Sequence, residues 1–322
     1  MILARRAILA TMLLAVAGSA WAGYISAPPG YSVHDTVFEI PAGGYPAGFD
    51  VLPDGSFVVH TGQHILKVAK DGESNILYSY PEAVFGSILT IDHAGGRIFF
   101  GESSNGTIGA MGLDGSDPEI IATVSFNFDL ELNSRGQIFV VWTPSFWDTL
   151  QTTNVSLLDP ETGMLDLILQ VAGPTGSIAF DRFDNLIYGT VAGVWGQQGG
   201  EKLVRFTAAQ VAGAVGETHL TVDDGDILVD DVDSPYDIAV DTAGKICFTS
   251  TVSTPSTLWR LNGDSVVAMS WTDPEVFHYM SVLQWHPDAR GFSVLVGGVY
   301  GPDWSPVGVI STLVRGRGRP VW

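Results

Sequence analysis

A pattern of paired apolar strands recurs six times along this chain. Its clearest copy is SPYDIAVDTAGKICFTS, residues 234–250, in which two alternating apolar runs flank a polar turn, as in a half-buried β-hairpin. The other copies begin near Gly48, Ser87, Phe128, Gly176 and Met280. Because an isolated hairpin cannot bury its apolar face, each copy needs a neighbour to pack against.

The spacing of the copies predicts a ring. The turns are 40, 41, 48, 60 and 47 residues apart, measured between Gly55, Gly95, Gly136, Asp184, Gly244 and Gly291. A third strand follows each hairpin, and a fourth follows the first five. Periods of this length filled with short strands are typical of propellers. We therefore predict an all-β fold, a six-bladed β-propeller with four-stranded antiparallel blades.

The sixth copy has no fourth strand, whereas the start of the chain has one strand too many. That strand, YSVHDTVFEIP at about residues 31–41, precedes the first hairpin. We predict that it completes the last blade, because ring closure protects strand edges that would otherwise be open. In the longest spacing, Thr207 and Gln210 stand at capping-box distance, which predicts a short helix within residues 205–215.

The first residues have the features of a secretory signal peptide. Arg5-Arg6 precedes the apolar run Ala7–Ala17, and Ala20-Trp21-Ala22 gives a small-x-small cleavage pattern, so we expect cleavage near Ala22 and export to the periplasm or the exterior. No later stretch is long and apolar enough to predict a membrane span. The predicted division is a signal peptide (1–22), a single propeller domain (23–315) and a C-terminal tail (316–322).

The net charge of the chain limits the classes of partner that it can bind. With 15 basic and 35 acidic residues, the formal net charge is −20, which repels nucleic acid and anionic lipid. We therefore expect a small molecule or a protein as partner, no nucleic acid, and a monomeric chain. The single cysteine, Cys247, excludes an intramolecular disulfide, and its place in an apolar strand predicts a buried side chain.

The repeats resemble those of six-bladed propellers of the NHL-repeat and gluconolactonase (senescence-marker protein) class, which are TolB-like in architecture. Pro46-Ala47-Gly48 and PYDIAVD, residues 235–241, carry the resemblance, since they match a Pro-x-(Gly/Asp)-Ile-Ala-Val-Asp hairpin motif. The segment KLVRFTAAQVAG is similar to a variant common in exported bacterial propellers of unassigned role. The resemblance covers nearly the whole chain after the signal peptide. It implies the fold and no single activity, because propellers host unrelated functions.

In propellers of this class the first strand of each blade lines a central channel. At the turn-aligned position where Asp237 enters that strand, the other copies have Gly48, Ile88, Asp129, Ser177 and Val282. We predict a ligand- or ion-binding site at the channel mouth, with convergent polar and aromatic side chains. The candidate residues are Asp129, Asp237, Glu102, Asn105, Ser177, His60, Trp147 and Trp195.

Two interpretations of the acidic candidates stay open. Carboxylates are hard ligands that suit Ca²⁺ or Mg²⁺, which makes Asp129 and Asp237 the candidate metal ligands and a divalent cation the candidate cofactor. Alternatively, each aspartate binds a neighbouring backbone N–H or channel water. Trp147 and Trp195 lie in long inserts, where an exposed indole can stack on a sugar or anchor a protein.

Catalysis is the less favoured interpretation. The resemblance implies, for gluconolactonase-like enzymes, a metal held by a first-blade Glu with Asn and Asp from other blades, but Gly48 stands where that first ligand is expected. No G-x-S-x-G or H-E-x-x-H motif occurs, so no catalytic set is assigned. We predict an exported module that binds a ligand or protein through its channel mouth and long loops. The alternative is a metal-dependent lactonase-like hydrolase, or a lyase, acting on a small sugar acid or lactone.

Overall fold

Six antiparallel sheets of four strands each form the structure, a computed structural model. This is the predicted six-bladed propeller. The structure describes residues 23–41, 44–85, 88–145, 151–173, 176–191, 200–250, 255–275, 278–286, 290–300 and 306–315. The expected signal peptide and the C-terminal tail lie outside these residues.

One strand precedes the blades; the next twenty strands form five blades of four, and the last three belong to blade 6. The N-terminal strand is β1 (Tyr31–Glu39). Blades 1 and 2 contain β2 (Gly48–Val51), β3 (Phe57–His60), β4 (His64–Val68), β5 (Ser74–Ser79), β6 (Ile88–Asp92), β7 (Arg97–Gly101), β8 (Thr107–Gly112) and β9 (Glu119–Thr123). Blades 3 and 4 contain β10 (Asn127–Leu132), β11 (Ile138–Trp142), β12 (Thr152–Leu158), β13 (Leu165–Ala172), β14 (Gly176–Phe180), β15 (Leu186–Thr190), β16 (Glu201–Phe206) and β17 (Asp226–Val232). Blades 5 and 6 contain β18 (Pro235–Val240), β19 (Ile246–Ser250), β20 (Thr257–Asn262), β21 (Ser265–Trp271), β22 (Tyr279–His286), β23 (Gly291–Gly297) and β24 (Val307–Arg315).

The N-terminal strand closes the ring. β1 pairs antiparallel with β24, from Tyr31 opposite Arg315 to Glu39 opposite Val307, so blade 6 has the order β1-β24-β23-β22. The predicted closure by residues of about 31–41 is therefore confirmed. Along β1 the side chains alternate as the pairing requires: Phe38 is buried in the core shared by blades 6 and 1.

The core lies between blades, not within them. Six apolar clusters are present among the described residues, and each combines side chains from two neighbouring blades. Each first strand also contacts the first strands of the blades on either side, so β2, β6, β10, β14, β18 and β22 surround the axis. Cys247 belongs to the cluster between blades 5 and 6, which confirms its predicted burial.

In blades 2 and 3, a glycine in the turn between the third and fourth strands lies against the preceding blade. Gly115 has φ +83°, and a Cβ added there would lie 2.7 Å from the carbonyl oxygen of Leu77 in blade 1. A Cβ added at Gly163 would likewise lie 2.7 Å from the Ile121 carbonyl oxygen of blade 2. Only glycine accepts both this left-handed backbone and this close approach.

The longest spacing contains the predicted helix, α1 (Ala208–Ala214), and a 3-10 turn at Val222–Asp224. Thr207 caps α1: its N–H donates to Gln210 Oε1 at 2.9 Å, and its side chain accepts from the Gln210 N–H. The predicted capping box is therefore confirmed. Within the described part of the chain, no helix has the length and apolarity that a membrane crossing requires.

Candidate functional site at the channel mouth

Asp129 links blade 3 to blade 4 through its carboxylate. One oxygen accepts the N–H of Leu130 at 2.9 Å, and the other accepts the N–H of Ile178 in β14 at 2.8 Å. These N–H groups lie on the channel edge of first strands, where no further strand pairs with them. Since a buried N–H without an acceptor is costly, a carboxylate here satisfies two donors at once.

The same arrangement recurs at alternate junctions. In blade 5, Asp237 accepts the N–H of Ile238 at 2.9 Å and that of Leu283 in blade 6 at 2.6 Å. In blade 1, Asp50 accepts the N–H of Val51 at 2.6 Å and that of Ile91 in blade 2 at 2.8 Å. Carboxylates from blades 1, 3 and 5 therefore link the blades in pairs.

Two acids that the sequence reasoning missed join this group. Asp50 and Glu131 each stand two residues before the first residue of the hairpin turn, whereas Asp129 and Asp237 stand four residues before it. Alternate residues of a strand face the same way, so both positions face the channel. Testing the second position of each hairpin for acids would have found them. We call Asp50, Asp129, Glu131 and Asp237 the channel carboxyls.

The channel carboxyls hold their protons more tightly than ordinary acids. Burial raises the pKa of Asp50 to about 6 and that of Asp129 to about 7, against the hydrogen bonds from backbone N–H groups, which lower both. Burial raises the pKa of Asp237 and of Glu131 well above the usual values. The charges of Asp129 and Asp50 raise both pKa values further, so the four groups lie within electrostatic reach of one another.

Tyrosines stand at the entrance above these acids. Tyr236 directly precedes Asp237, Tyr279 begins β22, and Tyr45 lies just before β2, so blades 5, 6 and 1 each supply one where the first strand enters the channel. Tyr236 is 47% exposed, yet desolvation, followed by the neighbouring Tyr279, Asp237 and Tyr45, raises the pKa of its phenol to about 12. Tyr45, Tyr236, Tyr279 and Tyr300 form what we call the tyrosine rim.

Two predicted site residues lie in a different, solvent-excluded cluster. His60 stacks on Tyr80, with Nε2 3.4 Å from the hydroxyl, and its Nδ1 accepts the N–H of Gly62. Burial lowers the pKa of His60 to about 3, so the ring is neutral. Glu102 is also buried, and the N–H groups of Asn105 and Thr107 donate to its carboxylate. These contacts brace a loop and leave no face for a ligand.

The remaining predicted residues differ in accessibility. Ser177 is buried beside Gly189, and its hydroxyl has no hydrogen-bond partner among the described residues, so no base is available to activate it there. Asn105 is exposed, and its backbone N–H binds Glu102. Trp147 and Trp195 lie outside the described residues.

The described residues do not fit the divalent cation that the resemblance implies. Among them, no group of three or more His, Cys, Asp or Glu side chains could hold a metal ion. Both oxygens of Asp129 and of Asp237 already accept backbone N–H groups, which favours the backbone-binding interpretation of these two acids. No reaction step is therefore assigned to a metal.

Solved structures share the fold at low sequence identity. The chain is similar to a gluconolactonase of Xanthomonas campestris, with a TM-score of 0.61, 15% identity, and coverage of 88% of this chain and 90% of that one. It is also similar to the PQQ-bound aldose sugar dehydrogenase of Streptomyces coelicolor, with a TM-score of 0.59, 15% identity, and coverage of 89% and 100%. The chain is similar as well to a chain of a nidogen/laminin complex, with a TM-score of 0.52, 11% identity, and coverage of 73% of this chain and 93% of that one.

These likenesses show the fold alone. A propeller that supports hydrolysis, sugar oxidation and protein association in different chains does not assign one of them to this chain. No protein-family model matches the sequence, and comparison with curated proteins gives no match.

Proposed function

We propose that the protein is a ligand-binding module whose site is the channel mouth. The observation that carries the proposal is the group of solvent-accessible tyrosines at the channel entrance. Tyr45, Tyr236 and Tyr300 are 41%, 47% and 58% exposed, and Tyr236 directly precedes the channel-facing Asp237. A concave entrance with aromatic walls and a few convergent polar groups is the usual form of a small-molecule site.

The chemistry of the described residues supports binding over catalysis. The carboxylates of Asp129 and Asp237 have structural hydrogen bonds on both oxygens. Among the described residues, no base forms a hydrogen bond with the Ser177 hydroxyl. A general base or nucleophile must be free to approach the reacting atom. What these residues supply is a fixed, polar, aromatic-walled pocket.

A metal-dependent lactonase is the second candidate, supported by the fold likeness to a gluconolactonase. The absence of a metal-holding group from the described residues counts against it. The two candidates differ in what happens to a bound lactone: the first releases it unchanged, and the second opens its ring.

The test is a thermal-shift screen of neutral, anionic and cationic small molecules on the wild-type protein and on Tyr236→Ala. Exposed Phe183, in the turn between β14 and β15, provides the control variant Phe183→Ala. We expect stabilisation by at least one compound, lost in Tyr236→Ala and kept in Phe183→Ala. Sugar lactones incubated with the protein and Ca²⁺ or Mg²⁺ should remain unchanged. Stabilisation that survives Tyr236→Ala, or ring opening, would contradict the proposal.

Export is part of the proposal. The support is the sequence pattern of Arg5-Arg6, the apolar run Ala7–Ala17 and the small residues Ala20 and Ala22. Mass determination of the protein from its native host should give a chain that begins at Gly23. An intact Met1 on protein from the cytoplasmic fraction would overturn this part.

A further inference from the structure

We propose that the ligand bound at the channel mouth is an organic cation, with its ammonium or guanidinium group between the tyrosine rim and the Glu131 carboxylate. The inference rests on the proposed function and narrows it to a ligand class. It excludes the neutral lactones and sugar acids that the fold likeness suggests.

The tyrosine rim provides aromatic ring faces on which the cation can bind. Tyr45, Tyr236 and Tyr300 are 41%, 47% and 58% exposed, although large aromatic side chains are usually buried. They come from blade 1, blade 5 and the segment after β23, and Tyr279 of blade 6 lies among them. Several tyrosines around one opening present the electron-rich ring faces that attract a cation.

Glu131 provides the carboxylate that pairs with the cation. Asp50, Asp129 and Asp237 each hold two backbone N–H groups across a blade junction, which fixes their carboxylates in place. For the Glu131 carboxyl, the interaction that favours its ionised form is a single backbone N–H, that of Leu132. Among the described channel carboxyls it therefore has the most hydrogen-bonding capacity left for a ligand.

The electrostatic field of the channel has one sign. The charged groups that act most strongly on Glu131 are Asp129, Asp237 and Asp50. Within the described part of the chain, the one basic group that acts on a channel carboxyl is His93, near Asp50. The ion pairs found among the described residues involve Asp54, Glu119, Asp184 and Asp226, none of which is a channel carboxyl. A channel lined by carboxyl groups, each of which gains a negative charge when it ionises, favours a cation over an anion.

Binding should also move a proton. Because burial and, after it, the neighbouring acids favour the protonated form of Glu131, an arriving cation must ionise it, and the released proton passes to the buffer. The ligand itself is unchanged. Proton release separates an ion pair at Glu131 from simple stacking on tyrosine, which would release none.

The experiment is calorimetric titration near pH 7 with n-butylammonium, tetramethylammonium and guanidinium, and with glucose and gluconate as neutral and anionic probes. Titration in two buffers of different ionisation enthalpy counts the protons released. The variants are Glu131→Gln, Tyr236→Ala and, as a control for overall charge, Asp223→Asn, which changes an exposed acid outside the channel. Thermal unfolding of each variant shows that it is folded.

We expect at least one cation to bind with proton release. Glu131→Gln should weaken that binding about tenfold or more and abolish the release, since a charge-assisted hydrogen bond is lost. Tyr236→Ala should weaken it roughly two- to fivefold, the magnitude of a cation–π contact. Asp223→Asn should bind as the wild type does.

Three results would overturn the inference: equal affinity in folded Glu131→Gln, cation binding without proton release, or preference for glucose or gluconate. In the last case, if binding depends on Tyr236, the channel mouth remains the site and only the ligand class is wrong. If every compound of the thermal-shift screen and all five probes fail to bind, the proposed function itself fails.

Discussion

The carboxylate of Asp129, in blade 3, accepts the backbone N–H of Ile178, in blade 4, at 2.8 Å. Asp237 and Asp50 form the equivalent bonds across two further junctions. In a propeller, the backbone N–H and C=O groups on the channel edge of each first strand have no partner strand. These carboxylates accept some of those N–H groups. The same groups make the channel acidic, so one feature serves both the ring and the proposed site.

Replacing Asp129 by alanine should destabilise the fold. The N–H groups of Leu130 and Ile178 lose their acceptor, and a buried unsatisfied N–H costs about 1–3 kcal/mol, partly offset by removing a desolvated carboxyl. We expect a net loss of about 1–3 kcal/mol in the free energy of unfolding, measured by urea denaturation. Asp223→Ala, an exposed control, should change it by less than about 0.5 kcal/mol. Equal effects would show that the Asp129 bridge contributes nothing.

Stability should fall as the solution becomes alkaline. The folded-state pKa of Asp129, about 7, lies above the ordinary 3.8, so its contribution is complete at low pH and is lost as the pH rises through 7. Glu131 and Asp237 act in the same direction. His60 acts oppositely: its pKa is lowered to about 3, so its contribution is complete above 6.5 and is lost as the pH falls.

Above pH 6.5, therefore, the pH dependence of stability comes from the channel carboxyls, because the contribution of His60 no longer changes. We expect the urea midpoint of the wild type to fall from pH 6.5 to about pH 8, and the midpoint of Glu131→Gln to fall less. Parallel profiles for the two proteins, or a rising midpoint, would contradict the assignment of the raised pKa values to the channel.

Gly115 and Gly263 provide a matched pair in equivalent turns. Both have positive φ, but a Cβ at Gly115 would lie 2.7 Å from the Leu77 oxygen, whereas one at Gly263 would meet nothing within 4 Å. Alanine at either position incurs the backbone strain of about 1 kcal/mol. Gly115→Ala should lose about 1–3 kcal/mol more, because the blades must move apart. Chemical denaturation of both variants gives the comparison, and equal losses would rule out blade docking at this turn.

Ring closure can be tested within β1. Phe38 is 2% exposed in the core between blades 6 and 1, and its neighbour Val37 is 45% exposed. Phe38→Ala should lower the free energy of unfolding by about 3–5 kcal/mol. Val37→Ala should change it by about 0.5 kcal/mol or less. If the two variants unfold alike, β1 does not hold the closure.

The repeats were sufficient to predict the ring and its closure. Six apolar hairpins recurred along the chain, with one surplus strand at residues 31–41 and no fourth strand for the sixth blade. Placing the surplus strand in the sixth blade accounted for both observations. Thr207 and Gln210 predicted α1 because a capping box is a local signal. Local and periodic features can be read without coordinates.

The site was predicted only in part, because it depends on which hairpin positions face the axis. Asp129 and Asp237 were found by turn alignment, but Asp50 and Glu131 lie one strand period closer to the turn and were missed. Glu102 and His60 follow second strands, as expected of mouth residues, yet the structure buries both around Tyr80 and the following loop. Their partners come from distant sequence positions that no local pattern reveals.

The most direct measurement is the ¹⁹F NMR spectrum of protein labelled with fluorotyrosine at its nine tyrosines, assigned by Tyr→Phe variants. On addition of n-butylammonium, we predict that the resonances of the tyrosine rim shift, while that of Tyr188, buried between blades 3 and 4, stays in place. A spectrum with no shifts at the rim, or with the largest shifts at tyrosines outside it, would contradict the claim that the channel mouth is the binding site.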